Sequence, residues 1–128
     1  MEYNLTAALL AWTALTDRVG QRITWNVRPQ GETVPAVLLT RVAGTRHYTM
    51  TERSGLTETL IQVDVWAASL AEALAVKTVL LGLFDSLTAA PFQRCFVEAE
   101  RDSFEPGDGP DELHLHRASL DVRVWHHA

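Results

Sequence analysis

Cysteine and basic residues are both scarce in this sequence of 128 residues. Its one cysteine, Cys95, has no internal partner, which excludes the small secreted scaffolds that depend on disulfide bonds. A single thiol also excludes a zinc site built from several cysteines. Lysine and arginine together number 11 against 16 acidic residues, so the formal net charge is -5. A conventional binder of duplex DNA is therefore not expected, because that class presents a positively charged surface to the phosphates.

Long apolar runs are absent as well. The longest, Val79–Phe84, is far shorter than the roughly 20 residues that a membrane span needs, so no membrane partner is predicted. The start, Met1–Asn4, has no cationic stretch of the kind that begins a signal peptide. These observations predict a soluble protein of a reducing compartment. The length predicts a single domain over residues 1–128.

Apolar residues near the N-terminus recur at the spacing of one helical stripe. The stripe consists of Leu5, Ala8, Leu9, Trp12 and Leu15. We predict one helix there, capped by Asn4 and ended by Gly20. A short extended piece at Ile23–Trp25 and a loop over residues 28–35 come next.

Four further segments have the β-branched and alternating character of strands. They are residues 36–43, 57–67, 92–104 and 113–126. The polar segment 44–55 is either a mobile loop or the two arms of a projecting hairpin. In the last strand the apolar residues change from odd to even positions, which predicts a bulge near Arg117.

Ser69 and Glu72 form a capping box, and the apolar spacing after it predicts a helix that runs to about Ser86. Strand pairs on both sides of this helix indicate the fold class. We predict an α+β fold with a mostly antiparallel sheet of about four strands and two helices packed on one face.

Three carboxylates, Glu98, Glu100 and Asp102, stand at alternate positions of a predicted strand and so share one face. Three interpretations are open: a solvated acidic face, an acidic assembly surface or channel lining, and a Mg²⁺ site for phosphodiester hydrolysis. The last would make the protein a small metal-dependent nuclease.

Other candidate chemistry is weak. His114 and His116 share a strand face. They could form a metal site with two ligands, lie on a solvent-exposed face, or belong to a subunit contact. Cys95 lies in an apolar strand, where a thiol is usually inert. The sequence has no Walker loop, dinucleotide-binding glycine motif or serine nucleophile motif, so neither catalysis nor a cofactor is predicted.

Four segments together resemble the tail-completion proteins of tailed phages, which include the tail terminators, or tail-to-head joining proteins, of long non-contractile tails. The segments are residues 34–39, residues 61–67 with the alanine-rich helix start at 71–75, residues 100–105, and residues 119–125. They occur in the order typical of the family, and with the N-terminal helix they span nearly the whole chain.

The resemblance implies a structural protein without a catalytic role. It implies a homo-hexameric ring that caps the tail tube, stops its growth and joins it to the neck protein below the head. The protein would then be assembled in the bacterial cytoplasm and lie at the tail–neck junction of the virion, with DNA passing through the ring without specific binding. The main alternatives are the nuclease and another neck or head-completion protein of the same particle.

A terminator must bind the tube with one face and prevent further tube subunits from binding to the other. Polar segments are suited to preventing that binding. We therefore predict two sets of surface residues. The candidate ring or partner interface comprises Arg46, His47, Tyr48, Glu52, Arg53, His114 and His116. The candidate lumen or rim residues, which would repel DNA, are Glu98, Glu100, Asp102, Asp108, Asp111 and Glu112.

Overall fold

A computed structural model describes residues 2–26, 35–48, 53–88, 92–105 and 115–127 of the chain. The described residues form three helices and five strands. The helices are α1 (Glu2–Ala11), α2 (Thr13–Val19) and α3 (Leu70–Ser86), and the strands are β1 (Ile23–Trp25), β2 (Ala36–Tyr48), β3 (Arg53–Ala67), β4 (Phe92–Glu105) and β5 (Leu115–His127). The α+β class is confirmed. The predicted number of elements is slightly too low, because β1 joins the sheet and the first helix is two helices.

The five strands make one sheet in the order β1-β2-β3-β5-β4. Only β1 and β2 are parallel, with Thr24 opposite Leu38, and every other neighbouring pair is antiparallel. This order places β3 in the middle of the sheet and β4 at one edge. An edge strand has one row of backbone groups available to a partner, so β4 is a candidate contact surface.

The break between α1 and α2 is at Trp12, whose backbone is extended at φ -84° and ψ 100°. The Trp12 carbonyl oxygen accepts hydrogen bonds from the backbone amides of Leu15 and Thr16, so the second helix starts afresh there. Asn4 lies inside α1 and is not its cap, so that prediction is wrong. Gly20 ends α2 as predicted, with a positive φ of 58° that glycine adopts at no steric cost.

Alternation along β3 separates the two faces of the sheet. Ile61, Val63 and Val65 are fully buried and belong to the core cluster, which also contains buried residues of all three helices. We call this side the helix face and the opposite side the outer face. In β5 the inward positions are the even-numbered ones from Ala118 to Val124.

The predicted bulge near Arg117 is wrong. The register of β5 against β3 runs without a shift from His127 to His116. The bulges are in β4, at Gln93 and Glu98, and in β2, where residues 42 and 47 interrupt the register. Leu115, one of the two odd-numbered leucines, pairs with Glu105 in unbroken register, and the other, at position 113, lies outside the described residues.

Helix α3 begins and ends as predicted. Its cap is Ser69, whose hydroxyl oxygen accepts a hydrogen bond from the Glu72 backbone amide at 3.2 Å, and residues including Leu80 and Phe84 pack on the sheet. Leu70, the first residue of the helix, is 48% exposed. None of the described helices has the length and apolar character to cross a membrane.

The packing of α3 can be tested with two identical substitutions in one helix. Leu80→Ala removes a fully buried side chain, and we expect it to lower the free energy of unfolding by about 2–5 kcal/mol. Leu70→Ala is the matched control at an exposed position and should change that free energy by about 0.5 kcal/mol or less. Urea unfolding followed by circular dichroism measures both. Equal effects would contradict the assignment of the buried face.

Candidate functional site

The outer face of the sheet has no described helix over it and is lined by charged and polar side chains. These come from the even positions of β3 and the odd positions of β5. The register places residues of the two strands side by side: Gln62 pairs with Asp121, Asp64 with Ser119, and Leu60 with Arg123. Polar groups on such a face need partners within the sheet or in another molecule.

Asp64 is the most deeply buried carboxylate among the described residues, with 3% of its surface exposed. Its Oδ1 atom accepts a hydrogen bond from the Ser119 hydroxyl at 2.5 Å and another from Arg117 Nε at 3.2 Å. The Gln62 amide nitrogen lies 3.1 Å from Oδ2. The Arg117 guanidinium also covers the ring of Trp66, at 5.3 Å from its centroid. These contacts compensate the charge and exclude water without a covering helix.

Arg123 lies between two carboxylates on the outer face, Glu58 of β3 and Glu98 of β4, and hydrogen bonds to both. The hydrogen bonds from Arg123 lower the pKa of Glu98 below its ordinary value of 4.5 and, with those to Glu58, raise the pKa of the arginine. The cluster joins three adjacent strands, because β5 lies between β3 and β4.

A third group of charges on the outer face is a bidentate ion pair between β4 and β5. Arg101 of β4 donates to both carboxylate oxygens of Asp121 of β5, at 2.7 and 3.0 Å. Planar pairing of this kind is the stronger form of ion pair. It lowers the pKa of Asp121 and raises that of Arg101. Arg101, Arg117 and Arg123 are thus each neutralised within the chain.

The three predicted acidic residues of β4 do not share a face, so that prediction is wrong. The bulge at Glu98 adds one residue to the strand and shifts the alternation after it. Glu98 therefore bonds Arg123 on the outer face, whereas Glu100 and Asp102 turn to the helix face. There Lys77 Nζ of α3 lies 3.4 Å from a carboxylate oxygen of Glu100 and 3.6 Å from one of Asp102.

This arrangement removes the basis of the metal-dependent nuclease. Two of the carboxylates share a lysine, and the third is separated from them by the sheet. Within the described ranges, no group of three or more histidine, cysteine, aspartate or glutamate side chains could hold a metal ion. Asp108, Asp111 and Glu112 lie outside those ranges.

Some of the predicted interface residues are in the described part of the chain and others are not. Arg46, His47, Tyr48 and Arg53 are on β2 and β3, where Tyr48 pairs with Arg53. The segment 44–55 thus contains the arms of a hairpin, one of the two alternatives that the sequence left open. Described pairing between β3 and β5 stops at Leu56 and His127, so this end of the hairpin extends past β5. Glu52 and His114 lie outside the described residues.

His116 packs against an aromatic side chain, and Cys95 lies in the protein interior. His116 packs on the ring of Phe104, with the centroids 4.9 Å apart, in an apolar groove that also includes Leu70. Cys95 is buried, and that burial raises the pKa of its thiol to about 11, which leaves it protonated and unreactive at neutral pH. The described residues offer no activated nucleophile at this position.

The sequence pattern did not predict the ion pairs of the outer face. The residues concerned are Glu58, Asp64, Arg101, Arg117, Asp121 and Arg123. The available signal was the strict alternation in the last strand, where polar residues occupy the odd positions 117–123. It indicates a polar face, but the partners are determined only by the register between strands.

Comparison with known proteins gives a family and a fold. A family model described as "Tail completion protein gp17" matches residues 4–127. A chain from the solved structure titled "Virion of native gene transfer agent (GTA) particle" has a similar fold, with a TM-score of 0.55 and 15% sequence identity over 95% of this chain and 90% of that chain. No curated protein matches the sequence at a significant level.

The Arg101–Asp121 pair predicts a pH dependence. The pKa of Asp121 lies below its ordinary value of 3.8 in the folded protein, so the pair stabilises the fold above that pH and the stabilisation is lost as the pH falls through the lowered pKa. The free energy of unfolding should therefore decrease from about pH 5 to about pH 2, and less steeply in Asp121→Asn.

Urea titrations across that pH range measure the effect. Asp17→Asn is the matched control, since Asp17 is an exposed carboxylate on α2, and should retain the wild-type slope. If Asp121→Asn retained it too, the ion pair would not contribute to stability.

Proposed function

Because the chain belongs to the tail completion protein gp17 family, it is a structural protein of a phage-like tail, and we propose that it is the tail terminator. In this role, six copies form a ring on the head-proximal end of the tail tube. The ring stops the addition of tube subunits and offers a docking surface to the neck protein. The observation that carries this proposal is the family match over residues 4–127.

The architecture suits a ring. Ring closure requires a heterologous interface, in which two different surfaces of one subunit meet. The sheet ends at one edge in β4 and at the other in β1, which covers β2 only as far as Leu39. The two edges are therefore different surfaces, as a head-to-tail contact between copies requires.

The hairpin end is the proposed contact with the tube or the neck. Arg46, His47, Tyr48 and Arg53 lie on strands that extend past β5. Paired strands fix the spacing of the residues along them, which gives a docking surface more specificity than a free loop has. A concentration of charge there also opposes the addition of subunits that do not carry complementary groups.

The charge pattern is compatible with DNA passage. Attraction of phosphates by unpaired arginines would hold DNA in the ring through counterion release. On the outer face, Arg101, Arg117 and Arg123 are neutralised by carboxylates of the same chain. We propose that DNA passes such a wall without specific binding. The acidic residues 108, 111 and 112 are candidates for the rim of the ring, where they would also repel DNA.

The test uses tail-tube subunits from the same particle, polymerised with and without this protein. We expect tubes of limited length that carry a ring at one end, with sixfold symmetry in electron-microscopy averages. Arg46→Glu should reduce the fraction of capped tubes, while Arg18→Glu, the same change on the exposed surface of α2, should not.

Tubes that grow equally long in the presence of the protein would contradict the terminator role. A nuclease assay on plasmid DNA with Mg²⁺ or Mn²⁺ provides the second arm. Cleavage that is lost in Glu100→Ala would contradict a purely structural function.

A further inference from the structure

An open groove lies on the outer face beside the edge strand. It is lined by Gln93, Arg94 and Phe96 of β4 and by Trp125 of β5. The register sets Arg94 next to Trp125, and the bulge at Gln93 widens the strand at this point. Phe96 is 45% exposed, so its ring is accessible to a partner. We call this feature the Arg94 groove.

Arg94 differs from the other three arginines of the described outer face. Those are neutralised by carboxylates, whereas Arg94 has no ion pair in the described part of the chain, and its guanidinium instead lies 5.4 Å from the centroid of the Phe96 ring. The groove therefore combines an uncompensated positive charge with aromatic surface. A partner that supplies carboxylates and compact apolar side chains would satisfy both.

The chain itself contains a segment of that composition. Residues 105–112, here called the acidic segment, read Glu-Pro-Gly-Asp-Gly-Pro-Asp-Glu. The segment carries four acidic residues and no lysine or arginine, and so holds nearly all of the net charge of -5. Its two prolines suit aromatic-lined grooves, because their compact apolar rings can pack on aromatic side chains. Its carboxylates suit an exposed guanidinium.

The acidic segment cannot reach the Arg94 groove of its own chain. Glu105 and Leu115 are register partners, so residues 106–114 leave and re-enter the sheet at the same end. Nine residues between these two fixed points can reach at most about 16 Å from them. Phe96 lies roughly 30 Å from Glu105, because each strand residue spans about 3.3 Å. The two features therefore lie at opposite ends of the β4–β5 pair.

We propose that the acidic segment of one copy docks in the Arg94 groove of the next copy. The contact is head to tail, as ring closure requires, because the segment and the groove lie at opposite ends of the β4–β5 pair. The inference rests on the proposed ring and names two surfaces that meet in it. It gives the segment a role between subunits in place of one at the rim of the lumen.

Docking can be measured without the ring. A fluorescein-labelled peptide of residues 104–113 is titrated with the purified full chain, and binding is monitored by fluorescence anisotropy. We expect binding that weakens as NaCl is added. Arg94→Glu should weaken it by roughly tenfold or more, and Phe96→Ala should weaken it as well. Arg18→Glu is the matched charge control and should bind like the wild type.

Two results would overturn the docking proposal at this stage. One is equal binding by Arg94→Glu and the wild type. The other is equal binding of a control peptide whose four acidic residues are replaced by asparagine and glutamine. Circular dichroism of each variant checks that a loss of binding is not a loss of folding.

The full ring is tested by mixing two charge-reversed proteins in the tube-capping assay. Arg94→Glu alone and Asp108→Arg/Asp111→Arg/Glu112→Arg alone should each fail to form rings, because each opposes like charges at every contact. An equimolar mixture should recover capping, since alternating copies restore opposite charges at every interface. Failure of the mixture, or normal capping by Arg94→Glu alone, would overturn the docking proposal and favour the rim assignment. Failure of the wild type to cap tubes would instead overturn the proposed function.

Discussion

The alternation of side chains along β3 is the constraint on which the rest of the structure depends. Its odd positions, among them Ile61 and Val63, are fully buried against the helices, and its even positions carry the charges of the outer face. Because β3 is the central strand, the register of β2 and β5 against it fixes the faces of those strands as well. A slip of one residue would put Asp64 into the apolar core, at a cost of several kcal/mol for an unpaired buried charge.

The bulge at Glu98 shows how one residue redistributes charge. Without it, three carboxylates would line one face of β4 and repel one another. With it, Glu98 joins Arg123 on the outer face and the other two bind Lys77 of α3. The edge strand is thereby tied to β5 on one side and to a helix on the other. An irregular edge of this kind also resists unintended strand pairing.

Charge compensation on the outer face has a functional consequence. A face that neutralises Arg101, Arg117 and Arg123 internally offers little to phosphates, whereas Arg94, which lies on the same described face outside these ion pairs, stands beside aromatic surface at the end of an edge strand. An assembly protein needs both surfaces that do not bind other molecules nonspecifically and local surfaces that recognise a partner. The net charge of -5 therefore says less about binding than the positions at which charges are paired or unpaired.

Sequence alone determined the local elements and the family resemblance. The capping serine before α3, the alternation in residues 57–67 and the glycine at the end of α2 each act through neighbours in the chain, so their patterns are readable without a fold. The helix break at Trp12, the positions of the bulges and the partners of Glu98 and Asp121 were decided by the tertiary structure. The bulges and the ion-pair partners depend on which strands lie side by side and in what register, and pairing between residues 20 or more apart leaves no periodic mark in the sequence.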